Sequence, residues 1–535
     1  MANGNIPSYL ASASPNPATN RAPWYKNTAQ SYAGIFLWIA FFDQLGGTVS
    51  GPGALAMANL AIAFSALICA GLACVVLFYL VPGLLGMKTG LPLYIVGTST
   101  FGTKGGYFLP GIFMGLLQIG WYSVATYFAA MYVLKGLGLD DYAVSLFGEG
   151  KQFSMVFVLV ALVWGYVFAF IGALGINYVA RVATFFPIVI IVMLIVGVIS
   201  ASGGLANYDR KQAARYAFVA ANMMEEQPDA AGATAVREKL DIPGVELEQE
   251  QDAIISGMAL AGFLFIVQMV VGFFATAGAV GADFCSNNRN EEDVWLGGLI
   301  GIGLATVFAG GLGLLTVAGA KGLLLSQLDQ GGVTVGQLAD YTYGGALPVV
   351  SPMLGKVMLL LFAVGSMAPA CFCSFIIGNS LSTMLGSEKT RIPLTLGGAT
   401  IGIILAALGV AGNLAPFFGL IGASFGPVIG AMIADYLLSG GRWAGPRAGV
   451  SIPGYAAWAL GFLVGILNHP WIGVLPGWQI ASVYSLIVGF VVYLVLAKLG
   501  LEPQVVQVPN LSLAAAPAGG DESAAEGVQG EGQSD

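Results

Sequence analysis

The stretch FFDQLGGTVSGPG, Phe41 to Gly53, puts an aspartate, four glycines and a proline inside an apolar segment that runs from about residue 32 to 56. A carboxylate at membrane depth costs about 2.5 to 3.5 kcal/mol on the insertion scale, so it needs a reason to be there. Gly46, Gly47, Gly51, Pro52 and Gly53 are expected to interrupt the hydrogen-bond ladder of a helix. Broken backbone survives at that depth only where it faces protein or a water-filled cavity. The stretch therefore predicts an unwound, polar point about midway through a membrane helix, with Asp43 at its centre.

The rest of the chain supplies the membrane. Of 535 residues, 57% are hydrophobic and only 9% charged, and the mean hydropathy is +0.81. Soluble domains carry about 25% charged residues. Apolar windows long enough to cross a hydrocarbon core of about 30 Å as helix recur twelve times. They lie at roughly 32–56, 58–83, 109–134, 153–175, 182–202, 253–281, 295–320, 355–380, 394–413, 416–438, 453–468 and 479–497. No β-barrel alternation appears. The expected fold is an all-α polytopic membrane protein with about twelve transmembrane helices. Its 77 glycines suit helices that approach closely in lipid.

Charge concentrates outside the windows. Residues 208–252 hold ten acids and five bases, and the tail after Lys498 holds six acids and no base. That tail reads as disordered and solvated. The polar first thirty residues lack the apolar run of a signal peptide. With both termini on one side, that side receives eleven basic residues and the short opposite connections receive four. The positive-inside bias then predicts a cell-membrane protein with cytoplasmic termini and an extracytoplasmic insertion. Five cysteines, mostly in apolar windows, and one histidine, His469, give no ligand cluster, so no metal is expected.

Asp43 is the one acid midway through a window; Asp283 and Asp435 fall at window ends. A second group of glycines, Gly272, Gly278 and Gly281, runs through the sixth window. Such glycines mean either tight packing or interruption, and Asp43 either accepts hydrogen bonds from broken backbone or works on a solute. Interrupted first and sixth helices, each opening a group of five, are the pattern of an inverted-repeat secondary transporter. On that pattern the chain divides into a polar segment 1–30, a first repeat 31–202, the acidic insertion 203–252, a second repeat 253–438, two further helices in 439–498 and the tail 499–535. Within the insertion, YDRKQAARYAFVAANMMEEQ is expected to form a surface helix and QPDAAGATA a flexible break.

The motifs add a resemblance. KTGL at Lys88–Leu91, the FG.KG turn of Phe101, Gly102, Lys104 and Gly105, and Q.GW at Gln118, Gly120 and Trp121 resemble the nucleobase:cation symporter-1 family. GADFCSNNRN, from Gly281, and IADYL, ending at Leu437, are similar to its endings of spans six and ten. The resemblance implies a leucine-transporter-type five-plus-five inverted repeat with two additional helices, and a central substrate site between spans one, three, six and eight. It implies that Trp121 and Phe274 sandwich a flat heterocycle, and that Gln118 and Thr276 hydrogen-bond its edge. A carboxamide both donates and accepts, as such an edge requires. Gln118 lies three residues before Trp121 and hence on the same helix face.

Span eight departs from the family. The polar cluster expected there is replaced by VGSMAPACFCSF, Val364 to Phe375, which offers Ser366. Asp43 is the candidate for cation coupling, by sodium or proton. The expected function is cation-coupled uptake of a nucleobase such as cytosine or a related heterocycle; the alternative is a non-nucleobase solute on the same fold. An enzyme lacks a convergent set of catalytic side chains, and a channel lacks a repeated polar lining. GTSTFGTKG, Gly97 to Gly105, fails as a phosphate loop. No organic cofactor, nucleic acid or obligate protein partner is expected, only the bilayer, the solute and a coupling ion.

Overall fold

A computed structural model describes residues 6–49, 51–143, 145, 154–226, 259–328, 333–384, 388–467, 469, 472–474 and 480–511. The expected flexible break QPDAAGATA and the tail beyond Leu511 lie outside the described residues. Among the described residues, nine helices are long and apolar enough to cross a membrane: Leu60–Thr89, Tyr107–Gly136, Met155–Leu174, Phe186–Leu205, Ala259–Ala279, Glu291–Gln327, Pro352–Ser382, Leu414–Leu438 and Ala481–Lys498. Shorter apolar helices at Arg391–Ala407 and Ile452–Ile466, and an interrupted segment Thr28–Phe36 plus Ile39–Phe42, fill the remaining positions of the expected twelve. In chain order these are spans one to twelve, the interrupted segment being the first.

Two groups of helices form the body. Span two packs on spans six and seven with span one against span seven, and spans three, four, eight and nine form a second group. Span five bridges to seven and eight, and span ten lies against six, eleven and twelve. Lipid offers no hydrophobic drive for this association, so small residues set the approach. A Cβ on Gly204 of span five would lie 1.9 Å from the Gly319 carbonyl oxygen of span seven.

The described terminal segments meet at one end of the bundle, where Asn510 Nδ2 donates to the Ala11 carbonyl (2.8 Å). The family-like motifs other than Q.GW sit at this end and act as joints. Asp435 accepts from Ser99 (2.6 Å), Thr100 (2.9 Å) and Arg447 (2.7 Å). Asn288 Oδ1 accepts from Thr28 (2.6 Å) and Asn27 (2.7 Å), tying the start of span one to the end of span six. Asn290 caps the helix that opens span seven, accepting from Asp293 N at 2.9 Å.

At the opposite end the structure corrects the reading of Phe41–Gly53. Gly47–Thr48 and Gly51–Pro52 pair as a small antiparallel hairpin that follows span one. Gly47 takes φ +135°, and a Cβ on Gly53 would lie 2.3 Å from Gly47; the glycines permit this turn and do not split the helix. The interruption comes earlier, at Leu37–Trp38, where Trp38 is extended with φ −69° and ψ 128°. Span six is also corrected: it runs unbroken from Ala259 to Ala279 and turns only at Val280. Gly272 and Gly278 are packing glycines, their absent Cβ positions 2.6 Å from the Phe418 carbonyl oxygen and 2.9 Å from Phe78.

The surface helix of the insertion is present as Arg210–Glu226. It lies over the hairpin end of span one, where Arg210 donates to the Ala56 carbonyl (2.6 Å) and Tyr208 to that of Leu55 (3.2 Å).

Candidate functional site

A cavity of about 370 Å³ opens where the break in span one faces spans three, five, six and eight. Span one contributes Gln30, Ser31, Gly34, Ile35 and Trp38; span three, Gln118 and Trp121; span six and its continuation, Phe273, Thr276, Ala277, Val280 and Phe284. Span eight adds Ala368, Pro369, Phe372 and Cys373, and the helix Ile176–Leu205, which contains span five, adds Val179 and Pro187. None of these lining residues is charged.

The structure unites Gln118, Trp121 and Thr276 as the sequence predicts. The Trp121 indole Nε1 donates to Thr276 Oγ1 at 3.1 Å, locking span three to span six through the cavity wall. Its ring stands edge-on to Phe273, centroids 5.4 Å apart at 86°, and tilted toward Trp38 at 5.7 Å and 59°. Such edge contacts suit the ring quadrupole and fix the indole's orientation. Among the described residues Gln118 Nε2 has only the Met114 sulfur at 3.6 Å, a weak acceptor, which leaves its amide available to a ligand.

Phe274 is not in the wall. It is fully buried, stacked on Phe36 at 5.6 Å and 15° and packed on Tyr32 at 5.5 Å. The reason is helical phase. Span six is intact here, so the residue sharing a face with Thr276 is the one three positions before it, Phe273. Ser366 is also corrected: it is fully buried at the joint between Pro352–Gly365 and Met367–Met384. Its hydroxyl donates back to the Phe362 carbonyl at 3.2 Å.

Asp43 is outside the cavity lining as well. It follows the second piece of span one, five residues beyond Trp38 or about 7.5 Å along a helix axis. Its Oδ1 accepts from the Tyr132 hydroxyl (2.6 Å) and from Gly344 N (2.9 Å), while its carbonyl accepts from Tyr343 N (2.8 Å). Gln44 beside it donates to the Gly412 carbonyl (2.8 Å) and accepts from Leu414 N (3.1 Å). Two adjacent side chains thus clasp span three and the connections before spans eight and ten, sealing the cavity at the hairpin end.

Toward the terminal end the cavity continues. Val280, Phe284 and Phe372 also line a vestibule of about 800 Å³ that reaches Tyr94, Tyr107, Asp283, Asn379 and Arg391. Sequence reasoning missed Trp38 and Phe273. Helical phase from Thr276 finds Phe273, whereas no residue near Trp38 announces the break.

No family model matches the chain. Cytosine permeases of Escherichia coli strain K12 and of Escherichia coli O157:H7 are each 27% identical over 362 residues, 68% of this chain and 67% of the relative. Mhp1, a nucleobase-cation-symport-1 family transporter solved in a closed conformation with bromovinylhydantoin bound, superposes with a TM-score of 0.59 at 15% identity, over 94% of this chain and 98% of that one. Its inward-facing conformation gives 0.58 at 16%, over 95% and 99%. Sequence likeness to the permeases and the fold shared with Mhp1 bear out the resemblance carried by the motifs: the chain is an all-α, multi-pass membrane protein that resembles cytosine permeases in sequence and Mhp1 in fold.

Proposed function

We propose that the chain is a secondary transporter that carries a small planar heterocycle, a nucleobase such as cytosine or a near relative, by alternating access through the central cavity. One observation carries the reading. An uncharged, aromatic-walled hollow of about 370 Å³ lies at the break of span one, between spans of both helix groups. It falls in the ordinary size range of small-molecule sites, about 300 to 1,000 Å³. Trp121 and Phe273 supply π surface, Gln118 and Thr276 the edge contacts. Rocking of one group against the other would expose the hollow to either end in turn. Here it is sealed at the clasp and continuous with the vestibule.

Coupling is assigned to Asp43. Its carboxylate holds the closure and not the solute, so a proton or cation taken up there would act on the gate. Both termini are placed in the cytoplasm, on the side that receives eleven basic residues. A second reading keeps the machine and changes the solute. The span-eight wall of Ala368, Pro369, Phe372 and Cys373 lacks the amides of the family pattern, and the Mhp1 structure holds a hydantoin.

The test is uptake into proteoliposomes of labelled cytosine, uracil and hydantoin, with and without sodium and proton gradients. Concentrative uptake of one ring under one gradient is expected; no uptake under either gradient contradicts the proposal. Trp121→Ala should weaken binding of the transported ring by about 1 to 3 kcal/mol, the scale of base stacking, and unaltered affinity removes the stacking role.

A further inference from the structure

The helix Arg210–Glu226 belongs to the insertion after span five and takes no part in the cavity wall. Its sequence explains its seat. Asp209 caps the first turn, accepting from Gln212 N at 2.9 Å, and Ala213, Ala217, Ala220 and Met223 form one buried stripe at helical spacing. Ala220 and Met223 pack in a cluster with Leu324 of span seven, with Val335, Leu338 and Ala339 of the connection before span eight, and with Ala56 beyond the hairpin. The chain entering the helix lies tight on span seven: a Cβ on Gly322 would stand 1.9 Å from the Gly204 carbonyl oxygen and 3.0 Å from Tyr208 N.

Span seven holds the same connection through Lys321, which is only 3% exposed. Its Nζ donates to the carbonyls of Gln337 (3.0 Å) and Leu338 (2.6 Å) and lies 4.1 Å from the Tyr341 ring centroid. Helix, connection and span seven thus make one platform, and the hairpin end of span one is pinned to it at two places. The first is the clasp, where Asp43 meets Tyr343 and Gly344. The second is the insertion helix, where Tyr208 and Arg210 donate to the carbonyls of Leu55 and Ala56. Those carbonyls belong to the short helix Ala54–Met57, and the last carbonyls of a helix find no partner within it. A guanidinium makes the stronger bond of the two, because its donor is charged.

We propose that the insertion helix is a brace, with Tyr208 and Arg210 as positioning residues that hold the hairpin end of span one down on the platform and so bias the carrier toward the state closed at that end. The inference rests on the transporter reading above and adds a second restraint to the clasp. Span one cannot lift away from Tyr343 and Gly344 without drawing Leu55 and Ala56 off the brace. Releasing the two side chains shifts the population toward opening at the hairpin end by the free energy of the lost bonds.

The experiment measures spin-label distances in the purified full chain, with nitroxides at Val49→Cys in the hairpin and Val410→Cys before span ten, both sites exposed. Cys69, the exposed native thiol, is replaced by serine in every sample. With the brace intact the shorter distance should predominate. In Tyr208→Phe/Arg210→Ala the ratio of a longer to the shorter distance should rise about tenfold, the scale of one hydrogen bond from a charged donor. Should the double variant fail to fold, as judged by its melting curve, Tyr208→Phe alone is measured, with about a threefold rise expected for a neutral bond. An unshifted distribution in the folded variant overturns the brace. The distances need no solute, so that result leaves the transporter reading standing if a ring is taken up by wild-type proteoliposomes; absence of uptake under either gradient overturns the transporter reading itself.

Discussion

Span one and span six occupy matching places in the two repeats, and glycines in both stretches suggested interruption. Only span one breaks, and it breaks at Leu37–Trp38, within IFLWIAFF, where there is neither glycine nor proline. Span six passes through Gly272 and Gly278 without losing a turn. The difference separates two uses of glycine. In span six it permits contact, letting the Phe418 carbonyl approach to 2.6 Å of the missing Cβ; after span one it permits a hairpin at φ +135°. The true interruption is imposed by the surroundings, which pair backbone and side chains beyond the break with other elements.

That contrast can be broken most decisively at Asp43. Asp43→Asn keeps an oxygen for Tyr132 and Gly344 and removes the charge. Concentrative uptake in proteoliposomes should be lost altogether while exchange of internal for external substrate continues; full accumulation would remove Asp43 from coupling. Next in size is the aromatic pair of span six. Phe274→Ala should lower stability by about 3 to 5 kcal/mol, the cost of an emptied aromatic site, measured as loss of thermal resistance in detergent, with substrate affinity of the folded fraction unchanged. Phe273→Ala should instead weaken substrate binding. Reversed phenotypes would restore Phe274 to the cavity.

Gly272→Leu sharpens the packing side of the comparison. Forcing a side chain against the Phe418 backbone should cost about 3 kcal/mol, the upper part of the usual overpacking range. A neutral melting temperature would mean that span six has room to unwind there. The smallest effect belongs to Ser366→Ala, whose hydroxyl serves only the preceding turn. Stability should move by no more than about 1 kcal/mol, the net worth of one hydrogen bond, and uptake should be unchanged. A large loss of uptake would bring Ser366 back into the site.

Much of the fold was legible because hydrocarbon forces every backbone group to find a partner within its own segment, so hydropathy alone marks the spans. The motif endings were legible for a related reason: Asp435, Asn288 and Asn290 make joints that only their functional groups can make. Gln118, Trp121 and Thr276, two of them linked by helix spacing and all three by family pattern, meet in the wall of one cavity. Phe274 was displaced by one residue because the sequence reading assumed unwinding that span six does not have; one residue is about 100° of helix rotation. Trp38 was invisible because its backbone conformation comes from tertiary packing. Asp43 was recognised as unusual, and its partners, Tyr132 and Gly344, lie 89 and 301 positions away in the chain.

The central claim is that the ring sits in the cavity walled by Trp121 and Phe273, beside the break of span one. A crystal or cryo-electron microscopy structure with 5-bromouracil or a brominated hydantoin, whichever binds, tests it by locating the halogenated ring. Density in the central cavity, against the Trp121 indole and within hydrogen-bonding distance of Gln118, is the predicted result. A ring seated against Asp43 at the hairpin end, with the central cavity empty, would contradict the account.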